Sequence, residues 1–436
     1  AASDVYKRQR QNHFEAVLCN PDGTQQVIYD ERSPKYVDHL NKTFYFLEDG
    51  RCFIVREETS TGYMHLYLYG IGQGVLHPIT QGEWEVTDFV GLRGDKVYYI
   101  STESSPLKRD LYRVGLDGKH KERLTPGDGY YSIYPSADLS YYICEGGDSS
   151  APGRTDVFNA AGKRVRTLYD NAPLKEALVE AGLPVREFFT FTTERGDELN
   201  GYMLKPLDFD PAKRYPVLLT QYSGPGSQQV AEGWGPDWED ALVTHGYIVV
   251  CVDPRGTGYR GEEFKKLTYG NLGRLEVEDQ ISTARYMARQ SYVDPARIGI
   301  YGWSYGGFMA LGCAFRGEGL FKMAIAVAPV TSWRYYDSIY TENFNGLPDD
   351  YPKGYDDNSP VNLAHLFRDD STRLLIVHGT ADDNVHFQNT MEMARALNKL
   401  GKQYDMMVYP DQNHSMMPDD MIHVREKMLR YTLENL

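Results

Sequence analysis

The sequence predicts a doubly wound, mostly parallel α/β domain that is preceded along the chain by the C-terminal part of a β-propeller. Two observations lead to this prediction. In residues 10–170, short alternating strands recur with a period of about 45 residues, which is typical of four-stranded propeller blades. In residues 171–436, continuous apolar strands alternate with helical segments, which is typical of a parallel sheet covered by helices on both faces.

Length, charge and composition exclude several classes of protein. The 436 residues exceed one typical core, so two domains are expected. A net charge of −15 argues against nucleic-acid binding because it repels phosphate backbones, and no apolar run approaches the length of a membrane span. The five cysteines are scattered and lack metal-ligand spacing. We therefore expect buried free thiols, no metal and no cofactor.

The repeat in the N-terminal half is carried by two series of apolar or aromatic residues. Their steps are 45 and 46 residues in the first series and 45 and 44 in the second: Leu66, Leu111 and Val157; Phe53, Tyr98 and Tyr142. About three and a half such units fit into residues 10–170, whereas a propeller usually closes with at least four blades. The chain is therefore expected to be truncated at its N-terminus. For the repeat itself, an unrelated β-sandwich is the alternative to propeller blades. Residues 1–9 (AASDVYKRQ) are expected to be an artefactual scar outside the fold.

Strands and helices alternate from residue 171 onward. A helix over Asn171–Leu183 is expected to join the domains, and Phe188–Lys205 predicts a hairpin. The predicted strands of the parallel sheet are Tyr215–Thr220, Tyr247–Val252, Arg297–Tyr301, Met323–Ala328, Arg373–His378 and Tyr404–Tyr409. Further helices are predicted over Val277–Arg289, Gln388–Lys399 and Met421–Leu436. In such a sheet, catalytic loops lie at the carboxyl ends of the strands.

A nucleophile elbow follows the third of these strands. Gly302-Trp303-Ser304-Tyr305-Gly306 has the G-x-S-x-G pattern, in which a sharp strand-to-helix turn exposes the serine hydroxyl and glycine allows close packing of the chain. The helix N-terminus has free N–H groups and a partial positive charge, which suit an oxyanion. A glycine-rich turn without a catalytic role is the alternative, and the strand and helix that flank the motif argue against it.

Two later loops supply the acid and base that Ser304 needs to become a nucleophile. In α/β-hydrolases the partners follow in the order Ser, Asp, His. Asp382 or Asp383 follows one predicted strand and His414 follows the last one, so all three loops lie at the same edge. Spacing alone does not choose between the two aspartates. Two further histidines flank the acid loop and are expected to make structural hydrogen bonds: His378 and His386.

Three segments carry a resemblance to a known family: Gly302–Gly307 (GWSYGG), Tyr335–Glu342 (YYDSIYTE) and His378–Gln388 (HGTADDNVHFQ). They closely resemble dipeptidyl peptidase IV-like members of the prolyl oligopeptidase family of serine peptidases, and the similarity spans about residues 215–414. The resemblance implies an α/β-hydrolase fold with Asp382 as the triad acid.

The resemblance also implies an oxyanion hole and a proline pocket. The hole would consist of the Tyr222 hydroxyl and the Tyr305 N–H; Tyr222 also follows the first parallel strand, where such a donor belongs. A packing tyrosine is the alternative. The pocket would be an aromatic box that suits a pyrrolidine ring, with Asn384 binding a substrate carbonyl beside it. The box residues are Tyr305, Val330, Trp333, Tyr336, Tyr340 and Val385. An ordinary aromatic core is the alternative for this cluster.

The implied activity is the release of N-terminal dipeptides from peptides with proline or alanine at the penultimate position, through an acyl-enzyme. In the family, two adjacent glutamates bind the substrate's amino group, and they lie farther upstream than this chain reaches. Glu57-Glu58 and Glu262-Glu263 stand in other contexts and are expected to be solvated. Dipeptide release therefore rests on the resemblance alone. A prolyl tripeptidyl peptidase, a broader acylaminoacyl peptidase or esterase, and a catalytically silent homologue stay open. The resemblance implies a periplasmic or extracytoplasmic location and is compatible with a homodimer.

Overall fold

The computed structural model describes residues 2–7, by their backbone, together with residues 10–39 and 42–436. The chain divides into two compact units: Ala1–Leu178 with Ala231–Gly235 and Gly258–Lys266, and Val179–Val230 with Pro236–Thr257 and Leu267–Leu436. The sequence predicted one division, between residues 170 and 171, which assigns Ala231–Gly235 and Gly258–Lys266 to the second domain. They pack with the first unit because their backbone bonds to it: the Glu232 N–H donates to the Leu107 carbonyl and the Glu262 N–H to the Gly62 carbonyl, at 2.9 and 2.7 Å.

The first unit contains four antiparallel sheets in its described part, three of them with four strands. The strands are β1 Ala2–Lys7, β2 His13–Cys19, β3 Gln25–Arg32, β4 Thr43–Phe46, β5 Cys52–Glu57, β6 His65–Gly70, β7 Gly74–Pro78, β8 Val86–Arg93, β9 Lys96–Ser101, β10 Asp110–Gly115, β11 Glu122–Arg123, β12 Tyr130–Pro135, β13 Tyr141–Gly147, β14 Arg154–Asn159 and β15 Arg164–Tyr169. The sheets comprise β1–β3, β4–β7, β8–β11 and β12–β15. The two predicted series fall on the second and third strands of the last three sheets, which confirms the repeat of propeller blades.

Alternation along each strand explains how these sheets pack on one another. Phe53 of β5 lies in a cluster with Phe14 of the preceding sheet. The next residue, Ile54, lies in a cluster with Val97 of the following sheet. Because successive side chains of a strand point to opposite faces, each inner sheet buries both of its faces between its neighbours.

The N-terminal strand differs from the expectation for residues 1–9. Ala2–Lys7 pairs antiparallel with β2, from Ala2 opposite Cys19 to Lys7 opposite Phe14. These six residues therefore satisfy backbone hydrogen-bonding groups of the first sheet instead of standing outside the fold. The remaining positions of that stretch, residues 1, 8 and 9, lie outside the described residues.

The prediction that Glu57 and Glu58 are solvated is wrong. They are 2% and 1% exposed. The Glu58 carboxylate lies 2.5 Å from Lys265 Nζ and 2.9 Å from Lys266 Nζ, and Lys265 also donates to Asp38 at 2.7 Å. Lys265 lies 207 residues after Glu58 in the chain, so no local pattern showed that the Glu58 carboxylate is buried in an ion pair. The same prediction fits Glu262-Glu263 better, because Glu262 is partly buried and Glu263 is exposed.

The second unit is an eight-stranded sheet with helices around it. Its strands are β16 Glu187–Thr192, β17 Glu198–Leu204, β18 Tyr215–Thr220, β19 Ile248–Asp253, β20 Val293–Trp303, β21 Met323–Val327, β22 Arg373–Gly379 and β23 Asp405–Tyr409. Their order is β16-β17-β19-β18-β20-β21-β22-β23. The β16–β17 hairpin pairs antiparallel with β19, and the other neighbours pair in parallel. The structure thus confirms the predicted hairpin and all six predicted parallel strands.

The helices are α1 Ala172–Ala181, α2 Asp240–Thr244, α3 Glu262–Lys265, α4 Leu275–Ala288, α5 Tyr305–Arg316, α6 Ser338–Asn345, α7 Pro352–Asp356, α8 Pro360–Leu363, α9 Gln388–Lys399 and α10 Pro418–Asn435. No described helix combines the length and the apolar character needed to cross a bilayer. The five cysteines are free thiols; three are buried as expected, whereas Cys19 and Cys52 are partly exposed.

Candidate active site

Ser304 stands on a strained turn between β20 and α5. Its φ and ψ are 62° and −116°, a region that non-glycine residues rarely adopt and that costs energy. The turn is held by a hydrogen bond of 2.8 Å from the Ser304 N–H to the Val327 carbonyl. A Cβ on Gly302 would collide with the Gly306 carbonyl, and a Cβ on Gly306 would stand 2.5 Å from the Gln221 carbonyl oxygen. The motif's glycines are therefore required by close packing, and the turn has the geometry of a nucleophile elbow.

Asp382 and His414 meet at the carboxyl ends of β22 and β23. His414 Nδ1 lies 2.7 Å from Asp382 Oδ2, and the Asp382 side chain is completely buried. Its other oxygen, Oδ1, accepts from the backbone N–H groups of Asn384 and Val385 at 3.0 and 2.9 Å. The neighbouring Asp383 is exposed. Of the two aspartates that spacing left open, Asp382 is the one beside the histidine.

Hydrogen bonds keep Asp382 ionised although it is buried. Burial by itself raises the pKa of the Asp382 carboxyl. Hydrogen bonds from His378, from His414 and from the Asn384 backbone act in the opposite direction and prevail, so this pKa lies far below its ordinary value. The site therefore holds a permanent negative charge next to His414.

The histidine loop is attached both to the elbow and to the acid loop. The Trp303 indole N–H donates to the His414 carbonyl at 3.1 Å. The Ala381 N–H donates to the Gln412 carbonyl at 3.0 Å, and the Thr380 N–H to the Tyr409 carbonyl at 2.9 Å. These bonds join three loops that lie far apart in the sequence into one rigid edge of the sheet.

A cavity of about 530 Å³ contains Ser304 and His414 together. Three further residues predicted for the site line it: Tyr222, Tyr336 and Asn384. The rest of its wall was not anticipated from the sequence: Asp237, Trp238, Tyr301, Trp303, Ser415, Met421, Arg425 and Met428. Met421, Arg425 and Met428 come from α10, and Asp237 and Trp238 from the segment before α2; their orientation toward the elbow depends on tertiary packing.

Tyr222 is chemically suited to donate a hydrogen bond into this cavity. Burial raises the pKa of its phenol, and a hydrogen bond with Tyr340 only partly opposes this. The hydroxyl is therefore protonated at neutral pH. Its ring centroid lies 5.9 Å from that of Tyr305, whose own N–H opens helix α5 and is one of the terminal donors without an intrahelical acceptor.

The predicted aromatic box is assembled around Trp333. Its ring centroid lies 5.4 Å from that of Tyr305, 6.1 Å from Tyr336 and 6.3 Å from Tyr340. The two valines predicted for the box are buried: Val330 and Val385. The Tyr336 hydroxyl donates to Asn384 Oδ1 at 2.8 Å, so the box is connected to the acid loop and the Asn384 amide is held with its NH₂ group as the remaining donor.

Two buried residues beside the site, His378 and Glu276, make contacts that the sequence did not reveal. His378 was expected to make a structural hydrogen bond, and its partner proves to be Asp382 Oδ2, at 3.1 Å. Glu276 was not singled out; the Tyr305 hydroxyl donates to it at 2.7 Å. Burial raises the pKa of Glu276 to about 7, against hydrogen bonds that lower it. No local pattern signals Glu276, whereas His378 could have been found from its place at the end of a strand that leads into the acid loop.

One group of three side chains has metal-ligand spacing in the part of the chain that the structure describes. It lies on β2 and β3, where His13, Glu15 and Asp30 bring one ligand atom each within 4.8 Å of one another. His13 Nε2 lies 3.2 Å from Glu15 and 3.0 Å from Asp30, and Arg32 pairs with Asp30 at 3.1 Å. His13 and Arg32 thus already occupy the carboxylates of this group.

The fold and the site define an α/β-hydrolase whose chain also carries propeller blades. Two family models match it: the Prolyl oligopeptidase family over residues 234–436 and the Dipeptidyl peptidase IV (DPP IV) N-terminal region over residues 3–152. The chain belongs to the prolyl oligopeptidase family, and it carries the N-terminal region of the dipeptidyl peptidase IV type. This confirms the resemblance that the sequence motifs indicated.

Known relatives and solved structures agree with this membership. The chain is 41% identical over 366 residues to a probable dipeptidyl-aminopeptidase B of Aspergillus niger, a match that covers 81% of this chain and 40% of that protein. Dipeptidyl peptidase 4 of Porphyromonas gingivalis superposes with a TM-score of 0.95 at 39% identity, covering 100% of this chain and 62% of that one. A putative dipeptidyl aminopeptidase IV from Bacteroides ovatus gives 0.91 at 28% identity, covering 100% and 64%. The chain thus spans about 40% of the length of the curated relatives it matches.

Proposed function

We propose that the chain is the catalytic part of a serine exopeptidase that releases N-terminal dipeptides after proline or alanine. The observation that carries this proposal is the hydrogen bond of 2.7 Å between His414 and the buried, ionised Asp382, at a cavity that also contains Ser304 on its elbow. A buried carboxylate paired with a partly exposed imidazole, at a cavity that also contains a partly exposed serine, is the arrangement that nucleophilic acyl transfer requires.

In the proposed mechanism, His414 Nε2 takes the proton of the Ser304 hydroxyl as its oxygen attacks the scissile carbonyl. Asp382 keeps the proton of His414 on Nδ1 and stabilises the imidazolium that forms. The Tyr222 hydroxyl and the Tyr305 N–H receive the negative charge of the tetrahedral intermediate. His414 then donates its proton to the leaving amine, and water hydrolyses the acyl-enzyme by the same steps.

The aromatic box supports a preference for proline or alanine. Its flat apolar faces around Trp333 suit a pyrrolidine ring and leave no charge to satisfy. The NH₂ group of Asn384, held by Tyr336, would donate to a substrate carbonyl outside the box. Dipeptide release in particular is supported by the relatives named above, of which this chain spans only a part.

A fluorophosphonate probe and two substrates test the proposal. The probe should label the wild-type chain and fail to label Ser304→Ala, and the same change should lower hydrolysis by about 10⁶-fold if the triad acts as a unit. Cleavage of a Gly-Pro anilide should exceed that of simple acyl esters. Residual hydrolysis by Ser304→Ala within tenfold of wild type would refute the role of Ser304. A wild-type chain that stays unlabelled would indicate a catalytically silent homologue.

A further inference from the structure

A completely buried histidine, His378, lies directly behind the candidate acid. It occupies the end of β22, four residues before Asp382, and none of its surface is exposed. Its ring makes hydrogen bonds through both nitrogens and is covered by the Phe387 ring, edge to face, at 5.5 Å between centroids. A histidine that is buried and bonded on both sides has a fixed orientation and a fixed proton position.

The partners of His378 determine which nitrogen carries its proton. Nε2 lies 3.1 Å from Asp382 Oδ2 and 2.8 Å from the Val385 carbonyl oxygen. Both atoms are acceptors, so Nε2 must be the donor. Nδ1 lies 2.7 Å from the Thr390 hydroxyl, which can donate to the unprotonated nitrogen of a neutral ring. Thr390 on α9 is itself completely buried.

We propose that His378 is a positioning residue for the reaction proposed above: its Nε2–H holds the Asp382 carboxylate and the Val385 carbonyl together. This inference rests on the proposed function, and it adds to that function a positioning role for His378. The other carboxylate oxygen, Asp382 Oδ1, accepts hydrogen bonds from the backbone N–H groups of Asn384 and Val385 in the same loop. One imidazole thus aligns the catalytic acid with the two residues of the same loop that would contact substrate.

Two consequences separate this role from simple packing. Asp382 Oδ2 is shared by His378 and His414. Without the His378 donor, the carboxylate would direct more of its charge at His414 and stabilise its protonated form, so the acid limb of the pH–rate profile should move to higher pH. The loop that carries Asn384 and Val385 would also lose a bond, so binding of a proline-containing ligand should weaken.

The experiment uses an Ala-Pro diphenyl phosphonate, which phosphonylates the serine and also occupies the proline box, so that kinact and KI are measured separately. His378→Phe keeps a ring but removes all three hydrogen bonds of the His378 side chain. We expect kinact/KI to fall by about 10- to 100-fold, the range for losing one hydrogen bond to a charged group. His378→Gln, whose side-chain amide nitrogen can stand where Nε2 does, should recover most of this loss. His386→Gln, an exposed change in the same loop, should match wild type.

A second pair of variants covers the case in which His378→Phe does not fold. Thr390→Val replaces the hydroxyl by a methyl group and should lower kinact/KI by about 3- to 10-fold, whereas Thr390→Ser should stay within threefold of wild type. Folding is checked by thermal denaturation of every variant. A folded His378→Phe with wild-type kinact, KI and acid limb would overturn the inference. The inference would also be overturned if His378→Phe and His378→Gln lost equal amounts of kinact/KI and the acid limb of the pH–rate profile did not shift. That result would indicate that His378 acts through packing alone. If wild type is not phosphonylated at all, the proposed function fails and this inference fails with it.

Discussion

Replacing Asp382 by asparagine should disable the site through the position of one proton. All four hydrogen bonds to the Asp382 carboxylate come from N–H donors: two backbone groups on Oδ1 and two imidazoles on Oδ2. An asparagine side chain has one acceptor end and one donor end. The backbone donors cannot change, so the amide oxygen should face them and the NH₂ group should face the imidazoles. His414 then has to carry its proton on Nε2, where it cannot accept the proton of Ser304.

The expected loss follows from this change of tautomer. In another Ser-His-Asp triad the same substitution lowers kcat by about 10⁴, and we expect a loss of that size in Gly-Pro anilide hydrolysis for Asp382→Asn. His378 adds a conflict, because its Nε2 would face both the new NH₂ group and the Val385 carbonyl, so a lower melting temperature should accompany the loss.

Asp383→Asn is the matched control, since Asp383 is the exposed neighbour in the same loop. It should keep wild-type rates and a wild-type melting temperature. The reasoning would be refuted if a folded Asp382→Asn variant retained kcat within tenfold of wild type, or if Asp383→Asn were the more damaging of the two changes.

Three further predictions concern Tyr222, Lys265 and Glu276. Tyr222→Phe should lower kcat by about 10²–10³, the usual loss for one oxyanion donor, with a smaller change in KM; an unchanged kcat would mean that other donors form the hole. Lys265→Met should lower the free energy of unfolding by about 3–5 kcal/mol because it removes the buried cation that pairs with both Glu58 and Asp38, whereas exposed Lys163→Met should change it little in the same urea titration. Glu276 has a pKa raised by burial to about 7; its contribution to stability is present below its ordinary pKa and is lost as pH rises toward 7. Relative to Glu276→Gln, wild type should therefore lose about 3 kcal/mol between pH 4 and pH 8, and parallel stability curves for the two proteins would contradict this.

Much of the fold was predictable because its signals are local. The 45-residue repeat recurs at β5, β9 and β13. Successive side chains of each of these strands point to opposite faces of its sheet, so the strand must place apolar residues on both faces. Predicted and observed bounds are the same for β18 and α9, since continuous apolar character and helical spacing belong to the segment itself. The elbow was equally visible because its pattern occupies five consecutive residues, although the atom that a Cβ on Gly306 would meet belongs to the distant Gln221.

The sequence by itself thus determined the two architectures, the order Ser, Asp, His and the loops in which these residues lie. The tertiary structure decided what depends on groups distant in the chain. Spacing did not distinguish Asp382 from Asp383; the resemblance implied Asp382, and the fold places it against His414. Only the fold shows that His378 bonds the acid and that the Tyr305 hydroxyl donates to Glu276. Glu58 was misjudged for the same reason: a carboxylate on a hairpin is normally solvated, and it is buried here because Lys265 and Lys266 arrive from 207 residues away. Burial and partner identity are properties of the whole fold, and local patterns do not encode them.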